Sequence, residues 1–282
     1  MSGISATDVK ALRDQTGAGM MDCKKALTDA EGDVERAIDL LRERGLSKAG
    51  KRAGRDTGEG AIAFSIQGGD GVLIELGCET DFVSRNDQFQ TLVQEIADTI
   101  RGAGEVADVE AALALQMGDE TVDAHVKSAV GRIGENIQLK RVASVHVEGA
   151  VGGYIHGGGK LGVLVGLVTA APEAAEAVAK DVAMHVAASD PTPLAVDRDG
   201  VDGSVVEKER EILRNQALAS GKPEKIVDNI VSGRINKFYA ENCLVEQPFV
   251  KDPDKTVGEI VGEAGDVKVS EFIRFKLGEG AG

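Results

Sequence analysis

Aromatic residues make up only 3% of this 282-residue chain, and tryptophan is absent. A core must therefore be packed from Val, Ile, Leu and Ala, and the chain is long enough for two or more such cores. No run of about 18 apolar residues occurs, which excludes a spanning helix and leaves no membrane partner to expect. The opening MSGISATDVKALRDQ is polar and charged, unlike a signal peptide. Cysteines are scarce: Cys23, Cys78 and Cys243 are too few and too scattered for a disulfide framework or a CxxC site. A reducing, cytoplasmic setting is expected.

Positive charge is also short. The net charge is −15, unevenly spread: residues 1–55 hold 11 basic and 9 acidic groups, the rest of the chain 21 basic and 38 acidic. An acidic bulk repels phosphate backbones, so nucleic-acid binding is not expected. The basic cluster Lys48, Lys51, Arg52, Arg55 reads as part of a solvated linker over residues 46–60, with a small phosphate patch as the alternative.

What is present is an alternation of short helices and β-prone runs. Ser5 with Asp8 is a weak capping box for a first helix to about Gln15. Thr16-Gly17-Ala18-Gly19 breaks it, and a second helix spans about Met20 to Ala30. In a third, Val34, Ala37, Ile38 and Leu41 share one stripe, and Gly45 is placed as its stop. Gly60–Gln67 and Val72–Leu76 flank a glycine-rich hairpin turn. Asn86 then caps a helix with Phe89, Leu92, Val93, Ile96 and Ile100 on one face. A helix over Thr121–Ile133 precedes a strand with Ile137, Leu139, Ala143, Val145 and Val147 at even spacing. Hairpin then helix recurs: Tyr154–His156, a glycine turn, Leu161–Val168, and an Ala-rich helix started by Pro172. Two charged helices, about Ser204–Ala219 and Pro223–Tyr239, are joined by Ser220-Gly221-Lys222 as an antiparallel hairpin. Its narrow seam is expected from Val205, Ile212 and Leu213 against Ile226, Val227 and Ile230. A final strand carries Val267, Val269, Ile273, Phe275 and Leu277. The fold class is α+β.

Catalytic motifs fail on context. Gly157-Gly158-Gly159-Lys160-Leu161-Gly162 fits G-x-G-x-x-G, but a strand follows it, whereas a dinucleotide site needs a helix there. A glycine-rich hairpin turn explains the match. His125, His146, His156 and His185 have no metal-ligand spacing; His185 reads as core and His156 as exposed. Cys78 lies near Glu75, Glu79 and Asp81, which argues against a nucleophile, and Cys23 reads as core. No acid, base and nucleophile set emerges. No enzyme, cofactor, metal or direct nucleotide binding is expected.

Two long segments carry a family resemblance. Leu12-Arg13-Asp14-Gln15-Thr16-Gly17-Ala18-Gly19-Met20-Met21-Asp22-Cys23-Lys24-Lys25-Ala26-Leu27 resembles the N-terminal signature of the elongation factor Ts family. Glu75-Leu76-Gly77-Cys78-Glu79-Thr80-Asp81-Phe82-Val83-Ser84-Arg85 is similar to its second signature. Ile133–Asn136, Ala183–Ser189, Gln247–Val250 and Phe272–Phe275 add to the likeness, which runs in order from about residue 3 to 280.

The resemblance implies a ubiquitin-associated-like three-helix domain (1–55, with the basic linker) and two α+β core subdomains (56–140; 141–203 with 240–282). It also implies an inserted helical hairpin, or coiled coil, at 204–239. It implies a guanine-nucleotide exchange factor in translation elongation, whose partner is elongation factor Tu in its GDP-bound and nucleotide-free states. Thr80, Asp81, Phe82 and Val83 then fall on the stretch that displaces the partner's Mg²⁺. Leu12, Met20, Met21, Lys51, His156 and Gly157 are further candidate contacts. Gly77 stands where the family usually has Asn, which puts local rigidity in question. A C-terminal helical module carried by some members is expected to be missing. A general adaptor using the three-helix unit, and a nucleotide-dependent enzyme using the glycine turn, are the competing readings.

Overall fold

The computed structural model describes residues 4–221 and 223–279; Lys222 of the expected hairpin turn and Gly280 lie outside them. Three helices open the chain: α1 (Ala6–Thr16), α2 (Met20–Asp29) and α3 (Val34–Arg52). Ser5 and Asp8 close a full capping box on α1, and Gly17 ends it in the left-handed region at φ 67°. Val9, Leu12, Cys23, Ala26, Leu27 and Ala37 bury against one another as the bundle core.

The helical stop at Gly45 and the linker over 46–60 are corrected by the structure. α3 continues to Arg52, and Gly45 is buried inside it. The reason is tertiary. Helix α7 (Val122–Ile133) crosses α3 there, and a Cβ on Gly131 would stand 2.7 Å from the Gly45 Cα. Two facing glycines let the helix backbones touch, which offsets glycine's poor helix propensity. α3 thus spans two cores, with Ala37 in the bundle and Ala49 in the core beyond it. The basic cluster is mostly helical. Lys48 pairs with Asp22 at 2.9 Å, and Arg55, just past the helix, pairs with Glu79 at 3.3 Å.

The remainder is two three-stranded antiparallel sheets stacked face to face. In the first, β1 (Glu59–Gln67), β2 (Asp70–Cys78) and β5 (Ile137–His146) lie in the order β1-β2-β5. Its outer face is covered by α5 (Asp87–Ala103), α6 (Val109–Ala114) and α7; the one-turn α4 (Asp81–Ser84) sits between β2 and α5. A two-residue ribbon, β3 (Gln116–Met117) with β4 (Glu120–Thr121), leads into α7. The second sheet, β6 (Gly149–His156), β7 (Leu161–Thr169) and β10 (Val267–Lys276), has the order β10-β7-β6. α8 (Pro172–Ala188) and α11 (Val257–Glu263) cover its outer face, and β8 (Pro248–Phe249) pairs with β9 (Asp252–Thr256).

Between the sheets, Ile62, Leu73, Val145, Val147, Val151 and Leu164 form a shared layer. Close approach needs glycine: a Cβ on Gly162 would lie 2.5 Å from Ile62 Cγ2, and one on Gly153 2.8 Å from the Phe64 ring. The even spacing along β5 hides a bulge. Glu75 pairs with Arg141 but Leu76 with Leu139, so Lys140 is extra. The bulge splits the strand: Ile137 and Leu139 face the helices, while Val145 faces the second sheet.

α9 (Gly203–Ala219) and α10 (Glu224–Asn242) form the antiparallel hairpin. The expected seam needs correction. Leu213 and Val227 are in it, joined by Ala217, Val231 and Ile235, with Ile230 at its margin. Val205, Ile212 and Ile226 are exposed instead. Val206, one residue on from Val205, turns inward against Ala195, Val201 and Cys243. No helix among the described residues is long and apolar enough to cross a membrane.

The glycine contact between α3 and α7 generates a test. Gly131→Ala should destabilise the chain by about 1–3 kcal/mol, because a methyl group must push two backbones apart. Gly233→Ala, on α10 with open space at its Cβ position, should be neutral or stabilising. Urea denaturation of both variants checks the contrast.

Candidate functional site

The stretch from Cys78 to Asn86 turns the chain from the central strand β2 into α5. Thr80 is the N-cap of α4 in an extended conformation, and its Oγ1 accepts the Val83 N–H at 3.4 Å. The same hydroxyl donates to Glu135 Oε1 at 2.7 Å, and the Thr80 N–H donates to Glu135 Oε2 at 3.0 Å. One carboxylate therefore grips both donors of Thr80. The Ser84 hydroxyl donates to the Asp81 carbonyl at 2.9 Å, and Asn86 Oδ1 accepts the Gln88 N–H to start α5. With its backbone tied at each end, this short helix does not depend on its own propensity.

Within the turn the side chains divide by direction. Val83 packs inward on the core of the first sheet. Phe82 points outward and is 84% exposed, the most exposed large apolar side chain among the described residues. Asp81 lies beside it and pairs with Arg85 at 3.0 Å. Solvent on both partners leaves that ion pair little stabilising value.

Behind the turn the support is buried and polar. The Cys78 thiol donates to the Thr80 carbonyl at 3.2 Å. Burial, with Glu135 as the next cause, pushes that thiol up to about 12. The acids expected from sequence, Glu75, Glu79 and Asp81, are not among the causes; desolvation leads, and the carboxylates that add to it are Glu135 and Glu59. Glu79 accepts the Asn136 N–H at 2.7 Å and is held below its ordinary carboxylate range by that bond and by Arg55. Asn136 Nδ2 in turn donates to the Arg55 carbonyl at 2.8 Å. Gly77 is buried in the ladder between Gly60 and Gln138, paired on both edges. A Cβ there would meet Lys140 Cε at 2.7 Å and Thr57 Oγ1 at 3.0 Å.

The other candidate residues fall into three places. Met20 and Met21 are 45% and 75% exposed at the start of α2. The turn that launches them abuts α5, since Gln88 Nε2 lies 3.9 Å from a Cβ position on Gly17. Leu12 is corrected: at 1% exposure it is bundle core and has no surface to offer a partner. Lys51 is exposed on the last turn of α3. His156 and Gly157 are exposed at the β6–β7 turn, with the Tyr154 hydroxyl 3.1 Å from His156 Nδ1. Gly157, Gly158 and Gly159 all have positive φ, as a turn of this shape requires. An open groove of about 550 Å³ runs from Arg85 and Gln90, past the β1 edge, to Gly158 and Gly159. Phe82's turn and the glycine turn thus border one groove.

Sequence reasoning misses Glu135 and places Arg55 in a linker or a phosphate patch. Glu135 is 55 residues from Thr80, and nothing local marks it; its segment was noted for resemblance alone. His185 is buried as expected. Its Nδ1 accepts the Val250 N–H at 3.1 Å, so its Nε2–H faces Gln247 Oε1 at 3.0 Å, and burial lowers its pKa. No cluster of three or more metal-ligating side chains occurs among the described residues.

Two outcomes test this corner. Glu135→Ala should cost about 1–3 kcal/mol in urea denaturation, because two donors of a half-buried residue lose their acceptor; Glu135→Gln, which keeps one oxygen, should cost less. Cys78 should resist alkylation in the native protein at pH 8, since almost no thiolate exists four units below its pKa. The folded state holds that proton more tightly than the unfolded one. Its contribution to stability is therefore complete below about pH 9 and declines as pH rises toward 12. Mass-spectrometric labelling across pH, beside melts, reads both.

Residues 79–279 match the protein family described as Elongation factor TS. The chain is 47% identical over 294 residues to the elongation factor Ts of Maricaulis maris (strain MCS10), covering 99% of this chain and 94% of that protein. It is 46% identical over 290 residues to the elongation factor Ts of Prosthecochloris aestuarii (strain DSM 271 / SK 413), covering 99% of this chain and all of that one. With a family match that takes in the Thr80–Val83 turn, its Glu135 support and the second sheet, and relatives aligned over 99% of the chain, the chain belongs to the elongation factor Ts family.

Proposed function

We propose that this protein is a guanine-nucleotide exchange factor for elongation factor Tu. It binds the GDP-bound partner, opens its Mg²⁺ and phosphate site, and holds the nucleotide-free state until GTP enters. The observation that carries this reading is Phe82: a large aromatic side chain, almost fully exposed, on a turn fixed by Glu135 and anchored inward by Val83. An isolated soluble fold gains nothing by leaving such a ring in water, whereas a partner slot would bury it.

An exchange factor makes and breaks no covalent bond. It must bind nucleotide-free partner more tightly than nucleotide-bound partner, and by linkage the nucleotide weakens the factor equally. Phe82 supplies this difference if its slot opens only when the phosphate site is disrupted. Asp81 beside it brings negative charge toward the Mg²⁺ region. Thr80 and Val83 hold the wedge in position. Preformed geometry matters, because a mobile loop would spend part of its binding free energy on ordering.

In this role the chain divides as 1–55, 56–140, 141–203 with 240–282, and 204–239. The bundle would dock through Met20 and Met21, whose flexible side chains adapt to a partner surface, with Lys51 alongside. His156 and Gly157 would meet another part of the partner across the groove. The hairpin would govern association more than exchange.

The test is stopped-flow release of a fluorescent GDP from elongation factor Tu, run beside thermal melts. Phe82→Ala should lower exchange efficiency about 30-fold, the effect of losing a buried aromatic anchor, with an almost unchanged melting temperature because the ring is 84% exposed in the free chain. Asp81→Ala should cost less. Wild-type exchange in Phe82→Ala would refute the wedge.

A further inference from the structure

A cleft between the bundle and α7 differs in charge from the rest of this acidic chain. It has a volume of about 350 Å³. Arg42, Arg44 and Lys48 line it from α3, and Arg132 lines it from α7; the only lining carboxylates are Asp22 and Glu120. Lys48 engages Asp22 at 2.9 Å, Arg42 engages Glu120, and Arg44 is held through its Nη2 by Asp29, outside the lining.

Two guanidinium groups are left with spare donors. Arg44 Nη1 is buried and has no hydrogen-bond partner. Arg132 makes no hydrogen bond or ion pair among the described residues; its stem lies on the α1–α2 turn, with Cδ 3.4 Å from a Cβ position on Gly17. A buried N–H without an acceptor is unfavourable. Like charges from two elements facing one cleft are unfavourable too, and an anion between them relieves that repulsion.

We propose that this cleft binds a small phosphate-class oxyanion, phosphate or pyrophosphate, between Arg44 of α3 and Arg132 of α7. Guanidinium groups match such oxygens in geometry as well as charge. The lining contains no aromatic ring, so a nucleotide base gains no stacking there and the phosphate carries the affinity. Bound anion would bridge α3 to α7 and strengthen the seating of the bundle on the core.

The experiment is calorimetric titration of the full chain with pyrophosphate at constant ionic strength, with inorganic phosphate and GDP as parallel arms. We expect saturable one-to-one binding of pyrophosphate, weaker binding of phosphate, and GDP no tighter than pyrophosphate. Arg132→Gln should weaken pyrophosphate about tenfold or more, as loss of a charge-assisted contact does. Arg132→Lys should recover much of it, and Lys180→Gln, on the exposed face of α8, should bind as the wild type does. Circular dichroism establishes that each variant is folded. Absence of saturable binding, equal binding by folded Arg132→Gln, or GDP binding tenfold tighter than pyrophosphate would each overturn the assignment.

Discussion

The contact between the two sheets is the constraint on which the rest of this structure depends. Helices cover the outer face of each sheet, so the middle strands β2 and β7 are buried on both sides along most of their length. β2 shows the consequence: Val72, Ile74, Leu76 and Cys78 face the helices while Leu73 faces the second sheet. With few aromatics to fill wide gaps, the sheets close on aliphatic side chains set against glycine, as at Gly162 and Gly153. Density of this kind tolerates little change in volume. One charge crosses the layer. Glu75, 3% exposed, accepts from Arg141 Nε at 2.6 Å, and Arg141 Nη2 donates to the Lys276 carbonyl at 2.7 Å with its guanidinium 4.2 Å over the Phe275 ring. A buried carboxylate satisfied in this way specifies how the sheets register rather than adding much net stability.

The functional turn inherits its rigidity from that layer. β2 is the middle strand of its sheet, paired on both edges as far as Cys78, so the corner that follows starts from a fixed point. Glu135 arrives from the end of α7, and Arg55 from the end of α3. The bundle, the first sheet and its covering helices thus all converge on residues 79–86. Phe82 can be exposed there because Val83 packs, half-buried, on the first core and Phe89 is fully buried in it; the turn can present one ring to a partner without loosening its own base.

Much of this was legible in the chain before any coordinates. Asn86 as a helix cap, the stripe from Phe89 to Ile100, the hairpin at 68–71, Pro172 opening a helix and the antiparallel pair α9 and α10 follow from local spacing and turn chemistry. The errors share a cause. Gly45 reads as a helix stop because propensity is local, while its real role is contact with Gly131, 86 residues away. The hairpin seam shifts because each arm also leans on the core: Val206 is drawn toward Cys243, and Val205 is left outside.

By itself the sequence determined the periodicities, the caps and the glycine turns, and it carried two family signatures long enough to point to elongation factor Ts. Those are properties of neighbouring residues, and neighbouring residues are what a sequence orders. Only the tertiary structure decided that Leu12 is core, that Glu135 grips Thr80, that a bulge at Lys140 turns β5 from one face to the other, and that Arg44 and Arg132 line one cleft. Each of these joins residues distant in the chain, and their pairing follows from how the sheets and helices pack on one another, which no local pattern encodes.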